Sequence, residues 1–296
     1  MRHRSGELNK NLTVCQDLWK TMVELHADRK SLMINLGGGV IGDMGGFVAA
    51  SFMRGIPFIH MPTSLLSMVD ASVGGKLGVD FMGRKNMIGC FKDPEEVWIH
   101  TPFLKTLSKR QLNSGFAEVI KHALIAAPER WEEIARLNDL EEIDDWSALV
   151  EWNVKIKNTI VKKDPLEKGA RKVLNYGHTL GHAIESSLLN SEYALLHGEA
   201  IAIGMIMAGY LSHLHTDLDY NKHRQIIDLI KRIYGIHKEG ITNHLDQINE
   251  FIKSDKKNVK GSLKFVLLSD IGQAEWDQNM NKNAVQSAIQ HYLNIS

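Results

Sequence analysis

The stretch Ser31-Leu-Met-Ile-Asn-Leu36, followed directly by Gly37-Gly-Gly-Val-Ile-Gly42-Asp43, decides the fold. The apolar run predicts a buried strand, and the glycines after it predict a tight turn that opens a helix. Glycines at such a turn let backbone N–H groups approach a pyrophosphate at the helix N-terminus. The match to G-x-G-x-x-G is weak evidence by itself, because no acidic residue follows at the end of the next strand. A tight turn that serves close packing alone is the alternative.

Outward from this turn, two further apolar runs, Pro57–Met61 and Glu96–His100, predict strands with helical pattern between them. Strands that alternate with helices favour a parallel α/β sheet. A complete mononucleotide-binding half is β-α-β-α-β. Only one helix, Leu12–His26, fits upstream of Ser31, so the sheet is expected to begin in the middle.

From about Ser108 the pattern changes to long amphipathic helices, predicted at residues 114–127, 145–161, 179–189, 199–214 and 221–234. Two short runs on either side of Gly272 predict a small hairpin. We therefore expect two domains, residues 1–108 and residues 109–296. The first is an α/β domain, incomplete at its N-terminus, and the second is mainly helical. A broad interface between them would be a usual place for a ligand cleft.

The composition excludes several classes of protein. The 296 residues carry 35 Lys+Arg and 35 Asp+Glu, so the formal net charge is zero and neither a nucleic acid nor a membrane surface is an expected partner. Two cysteines without a CxxC spacing exclude a disulfide framework and favour a reduced, cytoplasmic location. No signal peptide is visible, and the longest apolar run, Ala200–Leu211, is too short for a bilayer and predicts a buried helix.

Three helical segments carry possible metal ligands. His178-Thr-Leu-Gly-His182 places two imidazoles at i and i+4, which is metal-ligand spacing without the glutamate of the HExxH protease signature. His197-Gly-Glu199 opens another helix, and Glu118-Val-Ile-Lys-His122 lies on a third. Two histidines and a glutamate with an open fourth position are typical of catalytic zinc. The alternative is that some of these histidines cap helices or are hydrogen-bonded in the core.

Cations and glycines cluster in segments that are predicted to be loops. Asp70-Ala-Ser-Val-Gly-Gly-Lys76 and Gly83-Arg-Lys-Asn86 could hold an anionic group, although neither has the spacing of a Walker A loop. Further candidates are Lys157, Arg171 and the pair Lys256 and Lys257. A solvated charged face is the alternative for each of them. Several cations that converge would indicate a small phosphorylated or carboxylated ligand.

Taken together, these blocks resemble the 3-dehydroquinate synthase family of sugar-phosphate cyclases. The resemblance rests on their order and spacing over nearly the whole chain. The blocks are residues 37–43, Met53-Arg-Gly55, residues 62–76, residues 83–89, Ala117-Glu-Val-Ile-Lys121, Leu174–His182 and Leu196-His-Gly-Glu199.

The resemblance implies a phosphorus–oxygen lyase of the shikimate pathway of aromatic amino acid biosynthesis. Such an enzyme converts 3-deoxy-D-arabino-heptulosonate 7-phosphate to 3-dehydroquinate and phosphate, with catalytic NAD and Zn²⁺ or Co²⁺, and the family suggests a homodimer. It implies an N-terminal Rossmann-like domain that binds NAD and an all-α C-terminal domain that binds the metal. It implies metal ligands Glu118, His178 and His197. It implies catalytic and substrate contacts at Asp70, Lys76, Lys85, Asn86, Lys121, Lys157, Arg171, Asn175 and His182, and less securely at Arg54 and at Lys256 or Lys257. It implies cofactor contacts at Glu7, Lys10, Gly38, Gly39, Asp43, Thr63 and Ser64.

The start of the chain departs from the family pattern. Members usually begin with an additional strand-helix-strand segment, and Ser5-Gly6-Glu7 with Lys10 resembles the motif just after it. A chain without that segment is expected to bind NAD weakly and to be less stable than an extended version. Two alternatives stay open: a related sugar-phosphate cyclase or polyol dehydrogenase, and an inactive truncated paralogue.

Overall fold

A computed structural model describes residues 6–82, 84–254 and 263–296 of the chain. The chain forms two compact units. The first comprises the part up to Gly115 together with Trp146–Thr159, and the second comprises Phe116–Asp145 and the part from Ile160 onward. The predicted domain ranges, 1–108 and 109–296, remain a prediction. Within the described residues, no helix combines the length and the apolar character that a bilayer crossing requires.

The first unit contains the parallel sheet that the sequence predicts. Helix α1 (Leu12–Glu24) precedes strand β1 (Met33–Gly37), helix α2 (Gly39–Ser51) and strand β2 (Phe58–Pro62). Strand β2 pairs in parallel with β1, Asn35 opposite His60, and on its other side with two residues of a later strand. The predicted order of strand, glycine turn, helix and strand is therefore confirmed. The predicted burial of the first strand is wrong: within β1 only Asn35 is buried, and Ile34 and Leu36 are about half exposed, because the described residues cover one face of the strand and leave the other open.

The segment between β2 and the third strand of the sheet differs from the prediction. Instead of a helix and loops, it contains a π-helical turn (Ser67–Ala71) and an antiparallel ladder of β3 (Lys76–Phe81) and β4 (Arg84–Phe91). The expected loop at residues 83–86 is wrong for its last three residues, which begin β4; Gly83 lies outside the described residues. The third sheet strand, β5 (Glu96–Val97), is shorter than expected.

The core of the first unit explains why α2 is rich in glycine. Apolar side chains from α1, α2, β2 and β3 form one buried cluster that includes Cys15, Met44, Phe58 and Val79. A Cβ atom on Gly45 would lie 2.1 Å from Asn35 Oδ1, and one on Gly46 would lie 2.4 Å from a methyl group of Leu77. The helix therefore rests directly on β1 and β3.

The second unit is mainly helical, as the amphipathic pattern predicts. Its helices are α3 (Lys109–Ala126) and α5 (Trp146–Lys163), which also contribute residues to the first unit, and α4 (Pro128–Ile134), α6 (His178–Leu188), α7 (His197–His215), α8 (Tyr220–Tyr234), α9 (Lys238–Asn243), α10 (Leu245–Ser254) and α11 (Lys282–Leu293). Strands β6 (Leu263–Asp270) and β7 (Gln273–Met280) form the predicted hairpin around Gly272. The apolar run 200–211 is the buried centre of α7.

Helices α6 and α7 approach each other through glycines. A Cβ atom on Gly204 of α7 would lie 2.0 Å from the Gly177 carbonyl oxygen and 2.8 Å from the Gly181 nitrogen. Gly177 caps α6 in the left-handed region, with φ of 76°, which a side chain would disfavour. The short distance between the two backbones places the N-terminal turn of α6 close to α7.

Candidate functional site

The turn between β1 and α2 has the features of a phosphate-binding turn. Gly38 caps α2, Gly39 is its first residue, and the Thr63 N–H donates to the Gly37 carbonyl at 2.9 Å. A Cβ atom on Gly38 would lie 3.3 Å from the Ser64 hydroxyl oxygen. The absence of side chains leaves room above the helix N-terminus, where N–H groups have no partner within the helix. Four predicted cofactor residues therefore meet at one turn.

A buried lysine connects three segments next to this turn. Lys10 Nζ donates to Asp43 Oδ2 and to Asn86 Oδ1, both at 2.6 Å. Lys85 Nζ lies 3.5 Å from Glu7 Oε1. Burial disfavours the Lys10 ammonium group, but the charges of Asp43 and Glu7 outweigh burial and raise its pKa. Lys85 and Asn86, which the resemblance assigns to the substrate, thus lie among the predicted cofactor residues.

Two further predicted residues of the first unit form an ion pair. Lys157 Nζ, on α5, lies 3.0 Å from Asp70 Oδ1 in the π-helical turn and also donates to the Asp70 carbonyl oxygen. Lys157 is buried, whereas Lys76, at the start of β3, is exposed. Arg54 is exposed after α2, with a left-handed φ of 70°.

In the second unit, three predicted metal ligands converge on one point. Glu118 Oε1, on α3, lies 3.5 Å from His178 Nε2 at the start of α6 and 3.5 Å from His197 Nε2 at the start of α7. Zinc–ligand bonds of about 2.1 Å at tetrahedral angles place ligand atoms about 3.4 Å apart. Glu118 is fully buried, and its Oε2 pairs with Lys121. The separations therefore fit a divalent cation between the three atoms.

The hydrogen bonds made by the Nδ1 atoms of the two imidazoles support the same conclusion. His178 Nδ1 lies 3.0 Å from the Tyr176 carbonyl oxygen, and His197 Nδ1 lies 3.2 Å from Glu185 Oε2. Neither oxygen carries a hydrogen, so each Nδ1 is the protonated nitrogen and donates. Each Nε2 therefore faces Glu118 and is the nitrogen that a metal ion, in place of a proton, would coordinate.

The electrostatic environments of the two imidazoles differ. Burial and the nearby Lys121 charge lower the pKa of His178. Burial also disfavours the charged form of His197, but the Glu185 and Glu118 carboxylates outweigh it and raise the pKa of His197 to about 10. The imidazole of His197 therefore lies between two negatively charged carboxylates.

His182 offers a second possible ligand set. One nitrogen each of His178, His182 and His197 lie within 4.8 Å of one another, and the His182 ring centroid is 5.5 Å from that of His197. His182 is exposed, however, whereas Glu118 is fully buried. The cluster thus contains four possible donors, which the i, i+4 spacing alone could not rank.

Two further predicted residues of the second unit, Arg171 and Asn175, lie in the turn before α6. Arg171 and Asn175 belong to a 3₁₀ turn, Ala170–Asn175. The Arg171 guanidinium group is buried and donates to the Pro165 carbonyl oxygen at 2.6 Å. Asn175 Nδ2 donates to Glu167 Oε1 at 2.6 Å. Lys256 and Lys257 lie outside the described residues.

Sequence reasoning missed Glu185, which is only 3% exposed and touches a predicted ligand. Its signal was present: Glu185 follows His178 and His182 at i+7 and i+3, on the same face of α6. Tyr234 was also missed; burial and the charges of Glu118 and Glu199 raise its pKa.

Two family models match the chain. The model described as 3-dehydroquinate synthase N-terminal matches residues 1–114, and the model described as 3-dehydroquinate synthase C-terminal matches residues 115–258. A 3-dehydroquinate synthase of Parabacteroides distasonis is 39% identical over 97% of this chain and 82% of its own length. One of Rippkaea orientalis is 40% identical over 98% of this chain and 80% of its own length.

Solved structures agree on the fold. A 2-epi-5-epi-valiolone synthase from Streptomyces hygroscopicus, with NAD⁺ and Zn²⁺ bound, has a TM-score of 0.87 at 23% identity and covers 98% of this chain and 81% of its own. A 2-deoxy-scyllo-inosose synthase with carbaglucose-6-phosphate, NAD⁺ and Co²⁺ has a TM-score of 0.84 at 24% identity, with coverage of 98% and 82%. On the evidence of its sequence relatives and of both family models, the chain belongs to the 3-dehydroquinate synthase family.

Proposed function

We propose that this chain converts 3-deoxy-D-arabino-heptulosonate 7-phosphate to 3-dehydroquinate and phosphate, with NAD as a catalytic cofactor and a divalent metal ion. The observation that carries the proposal is the convergence of Glu118 Oε1, His178 Nε2 and His197 Nε2 at ligand spacing. Relatives about 40% identical over nearly the whole chain, all named 3-dehydroquinate synthase, support the reaction.

Glu118, His178 and His197 are the proposed metal ligands, and Zn²⁺ or Co²⁺ suits one carboxylate and two imidazoles. When bound, such an ion lowers the pKa of a coordinated hydroxyl group and polarises a carbonyl group. The backbone of Tyr176 and the carboxylate of Glu185 hold the two imidazoles in the tautomer that leaves Nε2 open. His182 lies beside this set, exposed, and is proposed to contact the substrate.

The glycine turn at Gly38 and Gly39, with Thr63 and Ser64, is the proposed pyrophosphate site. NAD supplies a hydride acceptor that is regenerated within each turnover. Lys10, buried between Asp43 and Asn86, holds β4 against α2 and fixes the side of the turn that the cofactor would contact. Glu7 adds a second carboxylate to this cluster through Lys85.

The substrate carries a phosphate and a carboxylate, so cations must bind and orient it. The proposed contacts are Lys76, Lys85, Asn86, Lys121, Lys157, Arg171, Asn175 and His182, with Asp70 as the partner of Lys157. Lys121 and Lys157 are buried and ion-paired with Glu118 and Asp70, so each places a positive charge out of contact with bulk water. Arg171 provides a planar donor set that suits a carboxylate or a phosphate.

Activity on the named substrate tests the proposal. We expect release of one phosphate and formation of one 3-dehydroquinate per substrate, dependent on added NAD, without net NADH absorbance. Net NADH production would instead indicate a polyol dehydrogenase. A cyclitol product from a different sugar phosphate would indicate a related cyclase. Absence of turnover in a folded protein that binds metal and NAD would indicate an inactive paralogue.

The ligand assignment has its own test in elemental analysis of purified variants. His197→Ala is expected to lose the metal, because it removes one of three ligands. His182→Ala is expected to keep the metal and lose turnover. Equal metal loss in both variants would instead favour the histidine-only set.

We also propose that the protein is a cytoplasmic homodimer, with a Rossmann-like domain over residues 1–108 and a mainly helical domain over residues 109–296. Light scattering at micromolar concentration tests the dimer, and limited proteolysis tests the domain boundary.

A further inference from the structure

Glu185 accepts a hydrogen bond from Nδ1 of His197, the ring nitrogen that is not the proposed metal ligand. Among the described residues, it is the one carboxylate that contacts a proposed imidazole ligand in this way. It lies on α6 and is 3% exposed, and its Oε2 is 3.2 Å from His197 Nδ1. The contact joins α6 to the first residue of α7. His178, His182 and Glu185 occupy positions i, i+4 and i+7, so one face of α6 carries all three.

The two ligand imidazoles are held by different groups. His178 donates to a neutral carbonyl oxygen, that of Tyr176, whereas His197 donates to the Glu185 carboxylate. A hydrogen bond to an ionised acceptor is roughly twice as strong as one to a neutral acceptor. It also makes the opposite nitrogen a better electron donor to a metal. The ring of His197 is therefore oriented and made more basic by a full negative charge.

The charges around the cluster give Glu185 a second role. Glu118 carries one negative charge, and the Lys121 ammonium group, which is paired with it, cancels that charge. A bound divalent cation would displace the proton from His197 Nε2, and with both imidazoles then neutral, these groups together would bring no net charge to it. Glu185 adds one buried negative charge in direct contact with a ligand, and burial makes such a charge more effective than it would be in water.

We propose that Glu185 is a positioning residue, which fixes the tautomer and the orientation of His197 and thereby strengthens binding of the divalent metal ion. The inference rests on the proposed metal centre. Carboxylates behind ligand imidazoles typically change metal affinity 10- to 100-fold when they are removed.

The experiment measures the Zn²⁺ dissociation constant of the full chain by competition with a chromophoric chelator, and the visible spectrum after loading with Co²⁺. Glu185→Gln keeps the volume and an acceptor but loses the charge, and Glu185→Ala loses both. Ser187→Ala is the matched folding control. Its buried hydroxyl lies on the same helix and donates to the Ala183 carbonyl oxygen. Near-ultraviolet circular dichroism confirms that each variant is folded.

Glu199→Gln is the control for charge alone. Glu199 is a buried carboxylate at the start of α7, two residues after His197, and its Oε2 accepts from the Leu196 N–H at 2.7 Å. If Glu185 acted only through general electrostatic attraction, both Gln variants would weaken Zn²⁺ to the same degree.

We expect about a 10-fold weaker Zn²⁺ affinity for Glu185→Gln, up to 100-fold for Glu185→Ala, and an altered Co²⁺ spectrum in both. Ser187→Ala and Glu199→Gln should stay within threefold of the wild type. A loss below fivefold in both Glu185 variants would overturn the proposal, and so would an equal loss in Glu199→Gln. If Glu185→Ala does not fold, Glu185→Gln alone decides by the same limit. Two results would show instead that the proposed metal centre is wrong: the wild type binds no Zn²⁺, or His197→Ala binds Zn²⁺ as tightly as the wild type. Either result would also overturn the role proposed for Glu185.

Discussion

Gly204→Ala tests whether the close approach of α6 and α7 builds the metal cluster. The added Cβ would lie 2.0 Å from the Gly177 carbonyl oxygen. Carbon–oxygen contacts are normally about 3.3 Å, so the two backbones must separate by about 1.3 Å. Overpacking costs about 1–3 kcal/mol, and the upper end applies because the obstructing atoms are backbone, which cannot rotate away. For a chain of 296 residues, a loss of about 3 kcal/mol corresponds to a fall in Tm of roughly 5 °C.

The same displacement should weaken metal binding. Gly177 directly precedes His178, so a shift of the α6 N-terminus changes the 3.5 Å separation that sets the ligand geometry. Metal sites tolerate deviations of about 0.2 Å, so we expect at least a 10-fold loss of Zn²⁺ affinity in the chelator competition assay. Gly235→Ala is the control: no atom lies within 4 Å of its Cβ, but its φ of 73° is strained for alanine.

Gly235→Ala should therefore lower stability by about 1 kcal/mol and leave Zn²⁺ affinity unchanged. A Gly204→Ala protein with the thermal stability and the metal affinity of the wild type would refute the reasoning.

Three further predictions concern stability, measured by urea denaturation. Gly45→Ala should lose about 2 kcal/mol of stability, because its Cβ would lie 2.1 Å from the buried Asn35 amide. Gly42→Ala should gain about 1 kcal/mol from helix propensity, because the nearest atom to its Cβ would be 3.8 Å away. The reverse order of stabilities would contradict this packing. Burial and neighbouring imidazoles lower the pKa of His223 to about 3, below the ordinary value of 6.5. Its contribution to stability is therefore complete above pH 6.5 and is lost as the pH falls from 6.5 towards 3, because His223 is protonated in the unfolded chain but not in the folded one. Relative to pH 7, the wild type should lose about 2 kcal/mol more at pH 5 than His223→Gln, and parallel pH profiles would disprove the assignment. Lys10→Met should cost about 2 kcal/mol, because it removes the buried ammonium group that pairs with the half-buried Asp43 carboxylate, and a loss below 1 kcal/mol would argue against that role.

Much of the fold could be predicted because its signals are local. The apolar run before Gly37 correctly predicts a strand, although not its exposed face, and the twelve apolar residues and glycines of α7 correctly predict a buried helix. Strand β4 could not be predicted, because most of its residues are exposed and its sequence lacks apolar alternation. Its first residues, Arg84-Lys85-Asn86, have the composition of a loop, and Asn86 adopts a left-handed φ of 49° inside the strand. Pairing with β3, a tertiary effect, overrides that composition.

The candidate site could be predicted in kind but not in detail. Spacing identified His178 and His182 as possible ligands, but the distance of Glu118 from both proposed imidazole ligands depends on how α3, α6 and α7 pack. Glu185 escaped notice because an acidic residue on a helix is normally a solvated one, and only the tertiary structure shows that it is buried against His197.

The single stripe on α6 also limits how this helix can change. Each residue of an α-helix advances by about 100°, so one residue inserted or deleted after His178 would turn both His182 and Glu185 away from the cluster at once. Substitutions can alter these side chains one at a time, but a change of length cannot. We therefore expect homologous chains to vary in length before Gly177 or after Leu188, while the eleven residues of α6 are inherited as a unit.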